Sequence, residues 1–124
     1  MGLKKYFFDS YAIIEILKTN PKYIHYAEEQ VTITLLNLIE IVNSVFKDLG
    51  EEQARKVYNN LKYCVEELNE DVILESTKFK NKNSKKRFSY ADCIGYIFAK
   101  TNNLKFLTGD KDFEGLDNVE FVKK

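Results

Sequence analysis

Histidine is almost missing from this chain. One residue, His25, is present, which argues against a His-based triad and a His-rich metal site. Cysteine is nearly as rare. Cys64 and Cys93 lie in apolar helical patterns with no C-x-x-C spacing. They read as reduced, buried thiols of a cytosolic protein, with no disulfide framework. Net charge is missing too. Lys plus Arg and Asp plus Glu number 19 each, so no global field draws the chain to nucleic acid or to a membrane. Any affinity for nucleic acid must come from local patches. No apolar run approaches the ~20 residues of a spanning helix. The opening MGLKKYFFDS has two lysines but no long apolar segment after them, so it reads as no signal peptide. No internal repeat and no low-complexity linker occurs. No G-x-G-x-x-G or P-loop occurs either, which argues against a nucleotide-binding fold.

What is present is an ordinary globular composition. The 124 residues are 44% hydrophobic and 31% charged, which fits one domain, 1–124, with a real core. The pattern predicts strands at KKYFF (4–8), VTIT (31–34), DVIL (71–74), LKFLT (104–108) and VEFV (119–122). It predicts helices at SYAIIEILK (10–18), from Asn20-Pro21 through 29, at 35–50, at 51–68, and at 89–103 behind Ser89 as N-cap. ESTKFKNKNSKKRF (75–88) reads as a little helix followed by a basic loop. Strands alternating with helices predict an α/β fold, a three-layer α/β/α sandwich around a mostly parallel five-stranded sheet. Ligand sites in such sheets lie beyond the carboxyl ends of the strands.

Acids fall at that edge. Asp9 follows KYFF directly, and Asp110 follows KFLT after Gly109. Two helices carry an acid in an apolar context: Glu40 within LLNLIEIV, and Asp92, the only charged residue between Phe88 and Ala99. Each alone has an ordinary explanation. Asp9 or Ser10 caps the following helix. Glu40 lies on a polar stripe with Asn37, Ser44 and Lys47, the outer face of an amphipathic helix. Asp92 stands at capping-box spacing from Ser89. Asp110 and Asp112 serve a turn. Together they say more. Four acids in the order strand end, helix, helix, strand end can be brought together by the fold. Clustered carboxylates repel unless a cation sits among them. Hard ions with oxygen ligands, Mg²⁺ or Mn²⁺, suit them and suit phosphate-ester chemistry.

The motifs resemble those of a known family. FFDSYAIIE, TLLNLIEIVNSV, FSYADCIGYIFAKTNNLKFLTGDKDF and the closing NVEF look like the PIN domain, and within it the small VapC-type toxins of toxin–antitoxin pairs. The likeness spans essentially the whole chain, and the third block is its most specific part. The resemblance implies a metal-dependent endoribonuclease. By position its four metal-binding acids map to Asp9, Glu40, Asp92 and Asp110. Asp112 matches a frequent extra acid that assists through water. Ser10 and Thr108 match hydroxyls that orient the carboxylates.

The resemblance also implies partners: an RNA substrate, a VapB-type antitoxin whose peptide covers the acidic site, and a second copy in a homodimer. The charge balance, the lack of a spanning run and the cysteine usage point to no membrane and to a cytoplasmic location. The segment 77–88 has six basic residues and no acid, so Lys85, Lys86 and Arg87, with Lys111, are candidate phosphate contacts. A solvated loop is the competing reading. Tyr90 and Phe88 could stack on a base, with apolar packing competing at Phe88. His25 reads as a surface or helix-packing residue. YAIIEILK and KYIHYAEE are the expected antitoxin or dimer surface, with core packing competing for the same residues. A phospho-acceptor receiver module would need an aspartate after its third strand, and DVIL is followed by Glu75-Ser76. An RNA-processing PIN nuclease without an antitoxin stays open, as does a catalytically silent PIN-like binding module.

Overall fold

The computed structural model describes residues 3–123; Met1 and Gly2 of the opening segment and Lys124 at the end of the expected domain lie outside them. Strand β1 (Tyr6–Phe8) leads into helix α1 (Ser10–Leu17), and a single 3₁₀ turn (Ile24–Glu28) follows. Helices α2 (Leu35–Leu49) and α3 (Glu51–Leu61) form a packed pair separated by Gly50, whose φ of 90° suits glycine. Helix α4 (Glu70–Lys82) and helix α5 (Tyr90–Thr101) precede β2 (Lys105–Thr108), a 3₁₀ turn (Lys111–Phe113) and β3 (Val119–Phe121).

The three strands form one parallel sheet in the order β1-β2-β3. Phe7 pairs with Phe106 and Phe8 with Leu107, and Phe106 pairs in turn with Val119. Side chains alternate across the sheet. Phe7 and Phe106 join Phe88, Tyr96, Phe98 and Phe113 in one core under α4 and α5. Phe8 and Leu107 join Ile13, Tyr23, Ile33 and Ile41 in the other, under α1 and α2. The two cores make the three layers. Truncating a fully buried ring such as Phe7 to alanine would cost about 3–5 kcal/mol. Helix α5 lies so close to the sheet that a Cβ on Gly95 would come within 2.6 Å of the Phe7 ring.

The expected five-stranded sheet is corrected to three strands among the described residues. DVIL is the first turn of α4 and part of its second. Asn69 caps that helix, its side chain accepting from the Val72 N–H at 2.9 Å, and Glu70 and Asp71 stand at its positive end. VTIT is extended but makes a single parallel bridge, Ile33 to Val65. Beside β1 the Phe8 N–H donates to the Thr32 carbonyl at 3.0 Å. The sheet is therefore continued past β1 by isolated hydrogen bonds to 32–33 and then to 64–66. The helix expected over 51–68 stops at Leu61 to allow this.

The surface expected from YAIIEILK and KYIHYAEE is divided. Ala12, Ile13, Tyr23 and Tyr26 are buried in the core, whereas Leu17 and Ile24 are exposed, as are most of the other residues of KYIHYAEE. Exposed apolar side chains gather instead on α2 and α3. Leu35, Ile39, Val42, Phe46 and Tyr58 line an open groove of about 360 Å³. Cys93 is buried and Cys64 half-buried, both free thiols; burial pushes the Cys93 thiol up to about 11. His25 is exposed, its ring 4.1 Å from that of Tyr26. Among the described residues no helix is long and apolar enough to cross a membrane.

Candidate active site

The parallel register brings the carboxyl ends of β1 and β2 together. The ladder continues one residue past β1, where the Asp9 N–H donates to the Leu107 carbonyl at 3.1 Å. Asp9 is thus fixed by the sheet on one side and by α1 on the other. It is the N-cap of α1: Oδ1 accepts from the Ala12 N–H at 2.8 Å. Its Oδ2 accepts from the Thr108 hydroxyl at 2.5 Å. Thr108 is fully buried, and its hydroxyl oxygen also accepts from the Asp110 N–H at 3.0 Å. One hydroxyl therefore ties the two strand ends together.

Asp110 sits just beyond, and its Oδ1 accepts from the Asp112 N–H at 2.9 Å. Gly109, just before it, is required by crowding. A Cβ there would meet the Tyr11 ring and the Tyr23 hydroxyl at 2.4 Å each. Asp92 stands in the first turn of α5 and closes a capping box with Ser89. The Ser89 N–H donates to Asp92 Oδ2 at 2.9 Å, and the Asp92 N–H donates to Ser89 Oγ at 3.0 Å. Glu40, on α2, accepts from the Ser10 hydroxyl at 2.5 Å.

These acids feel one another. Burial pushes the Asp9 carboxyl up to about 7; the charges of Asp92 and Asp110 add to that, and the bonds from Thr108 and Ala12 oppose it. Burial also raises Asp92, the Ser89 bonds oppose it, and the charges of Asp110 and Glu40 raise it further. Asp9, Glu40, Asp92 and Asp110 are therefore neighbours in one electrostatic site. Asp112 joins it through its backbone N–H, which donates to Asp110 Oδ1. The ordinary readings of each acid and the joint one are compatible: capping is what aims three of the four carboxylates.

The geometry is not that of a closed metal cage. Among the described residues, no three His, Cys, Asp or Glu side chains are placed so that they could already hold an ion. Each carboxylate is turned toward a donor of its own, as mutual repulsion favours. The donor set still suits a hard cation, being all oxygen and all anionic. None of the four acids forms an ion pair with Lys or Arg among the described residues.

The basic segment flanks this site. The Lys86 ammonium donates to the Asp112 carbonyl at 2.8 Å. Lys85, Arg87 and Lys111 are exposed. Phe88 is buried against Phe79 and Phe113, so it packs and does not stack on a ligand. Tyr90 is 68% exposed, with the Lys80 ammonium 4.8 Å from its ring centre. The residue missed by the sequence reading is Asn37. It is buried and not on an outer face, and it donates to Ser10 Oγ at 3.0 Å. Its position three residues after Thr34, as in a capping box, was the available signal.

The family model described as PIN domain matches residues 6–119. The chain belongs to the PIN domain family. Comparison of this PIN domain with curated proteins finds no significant match. Among solved structures it is similar to one described as a toxin–antitoxin complex from Klebsiella pneumoniae. That match has a TM-score of 0.75 at 20% identity, covering 94% of this chain and 96% of the other. It is similar to Mycobacterium tuberculosis VapC20, described as a sarcin–ricin loop cleaving toxin, with a TM-score of 0.78 at 14% identity over 95% and 99% of the two chains. A third is VapBC-1 from nontypeable Haemophilus influenzae, with a TM-score of 0.69 at 20% identity over 95% and 96%. At these identities the likeness is one of fold.

Proposed function

We propose that this PIN domain is a metal-dependent endoribonuclease, hydrolysing RNA phosphodiester bonds as the toxin of a VapBC-type toxin–antitoxin pair. The observation that carries the reading is the electrostatic linkage of the acids: the charges of Asp92 and Asp110 act on the buried Asp9 carboxyl, and those of Asp110 and Glu40 act on Asp92. The fold shared with a structure described as a toxin–antitoxin complex and with one described as a sarcin–ricin loop cleaving toxin supports it.

The four acids would hold Mg²⁺ or Mn²⁺, with Asp112 assisting. When bound, the ion supplies a water of lowered pKa and positive charge to offset that developing on the phosphate. Thr108 keeps the buried Asp9 carboxylate in one orientation and fixes Asp110 relative to it. Ser89 does the same for Asp92. Lys85, Lys86, Arg87 and Lys111 give the site cations for RNA phosphates on either side of the reacting one. No histidine is needed, in keeping with a chain whose single one is on the surface. The protein would act in the cytoplasm, where its RNA is.

For the antitoxin, the α2–α3 groove supports a helix-in-groove mode, taking apolar side chains spaced i, i+3 and i+4. Ile39→Glu with Phe46→Glu is expected to abolish neutralisation by the antitoxin while leaving RNA cleavage intact. Light scattering on the free protein tests the homodimer.

The nuclease itself is tested on a mixed RNA pool with Mg²⁺ or Mn²⁺. Cleavage leaving 5′-phosphate ends, lost on adding EDTA, is expected. Cleavage that persists in EDTA contradicts the reading. One observation favours a second reading, a silent binding module: the carboxylates are not preassembled as a cage. Growth arrest on expression, relieved by Asp92→Asn, would separate the active protein from the silent one.

A further inference from the structure

Helix α2 begins on a buried chain of polar side chains. Asn37 is 1% exposed, and its Oδ1 accepts twice from Thr34: from the backbone N–H at 3.0 Å and from the hydroxyl at 2.8 Å. A backbone N–H can only donate, so the atom facing it must be the amide oxygen. That fixes the amide. Its NH₂ faces the opposite way and donates to Ser10 Oγ at 3.0 Å. A serine hydroxyl has one proton. With Asn37 donating to the oxygen, that proton is directed to Glu40 Oε1 at 2.5 Å. Donation runs one way along the chain, from Asn37 to Ser10 to Glu40. The relay also crosses the fold, because Ser10 opens α1 and follows Asp9 directly, whereas Asn37 and Glu40 lie on α2.

Glu40 needs such a device. It is an exposed side chain with three rotatable bonds, and the Ser10 hydroxyl is its one hydrogen-bond partner among the described residues. We propose that Asn37 is a positioning residue of the acidic site, holding the Glu40 carboxylate beside the start of α1 by fixing the proton of Ser10. The inference rests on the metal-dependent reading of that site and goes beyond it by adding a residue that touches none of the reacting groups.

A purely structural role for Asn37, as the cap of α2, makes a different prediction. Asn37→Asp keeps an acceptor for both Thr34 donors but loses the donor to Ser10. The Ser10 hydroxyl is then drawn to the introduced carboxylate, away from Glu40. Mn²⁺ binding is measured by calorimetry on the full chain for the native protein, N37D, S10A and the double variant, with melting temperatures alongside. The relay predicts a dissociation constant raised about 10-fold or more in N37D and in S10A. It predicts no further loss in the double variant, since both substitutions cut one chain. The extra negative charge in N37D would by itself tighten cation binding, so a weakening cannot come from it. An unchanged constant in N37D, or losses that add in the double variant, would overturn the relay. If N37D does not fold, S10A, which leaves the Thr34–Asn37 cap intact, carries the test: the same weakening supports the relay and an unchanged constant overturns it. Native protein that binds no Mn²⁺ overturns the metal-dependent reading, and the relay with it, before any variant is compared.

Discussion

Asp9 and Glu40 are both carboxylates of one site, held in opposite ways. Asp9 is 3% exposed, its backbone is bonded into the sheet, and its two oxygens accept from a helix N–H and a buried hydroxyl. Glu40 is open to solvent and held by one hydroxyl. The sheet half of the site is therefore made by the fold itself and cannot move without disturbing it. The helix half depends on a side-chain relay and can be altered alone. This difference suits a site that must keep one fixed anchor and still admit a bulky, charged substrate.

The comparison is broken most severely at its rigid end. Asp9→Asn is expected to abolish RNA cleavage, measured on labelled RNA. It should also change the pH dependence of stability in the metal-free protein. The folded carboxyl, pushed up to about 7, keeps its proton where the unfolded one, with an ordinary value of 3.8, has lost it. The folded state then holds more protons between those values, and stability falls as pH rises through that window. The slope is about 1.4 kcal/mol for each pH unit across the middle of the window. Thermal melts from pH 4 to 7 should show the decline in the native protein and its loss in the variant. Metal competes with the same proton, so native Mn²⁺ affinity should rise through pH 7.

Thr108→Val comes next. It keeps the shape but removes the hydroxyl that links the Asp9 carboxylate to the Asp110 backbone. A drop of about 10- to 100-fold in cleavage rate is expected, with a loss of about 1–3 kcal/mol in stability from the unpaired groups left behind, read by denaturant titration. At the open side the effects should be smaller. Lys86→Ala should raise KM with little change in kcat, and should flatten the salt dependence of RNA binding by about one phosphate contact. Tyr90→Ala should weaken binding of single-stranded RNA by about 1–3 kcal/mol if its exposed ring stacks on a base, and Tyr90→Phe should restore it.

The same contrast explains what could be read in the sequence. Asp9 and Asp110 were legible because a strand end is a local signal: an apolar run, then an acid, at an edge the parallel sheet defines. Asp92 was legible because Ser89 announces the helix start. DVIL misleads because its β-branched Val72 and Ile73 read as a strand, although Asn69-Glu70-Asp71, which overlaps its start, is a helix-start signature. The resulting helix moved the edge of the sheet to 64–66, where a few backbone bonds suffice and the composition carries no strand pattern. Asn37 reads as an outer-face residue because helical periodicity counts polar residues as exposed. Its burial comes from Thr34 and Ser10, and Ser10 is 27 residues away. Such contacts are set by packing and leave little trace in spacing. The same packing competes at the expected partner surface: Ala12 and Ile13 of YAIIEILK face the core, whereas Ile24 and His25 of KYIHYAEE are exposed.

The central claim is that four separately held carboxylates, three of them in helix caps, together bind a divalent cation. The most direct test is a Mn²⁺ titration of the native protein and of Asp9→Asn by calorimetry at pH 7.5. The account predicts saturable binding to the native protein that is lost in the variant while its fold is kept. Binding that is absent from the native protein, or equally tight in Asp9→Asn, would contradict it.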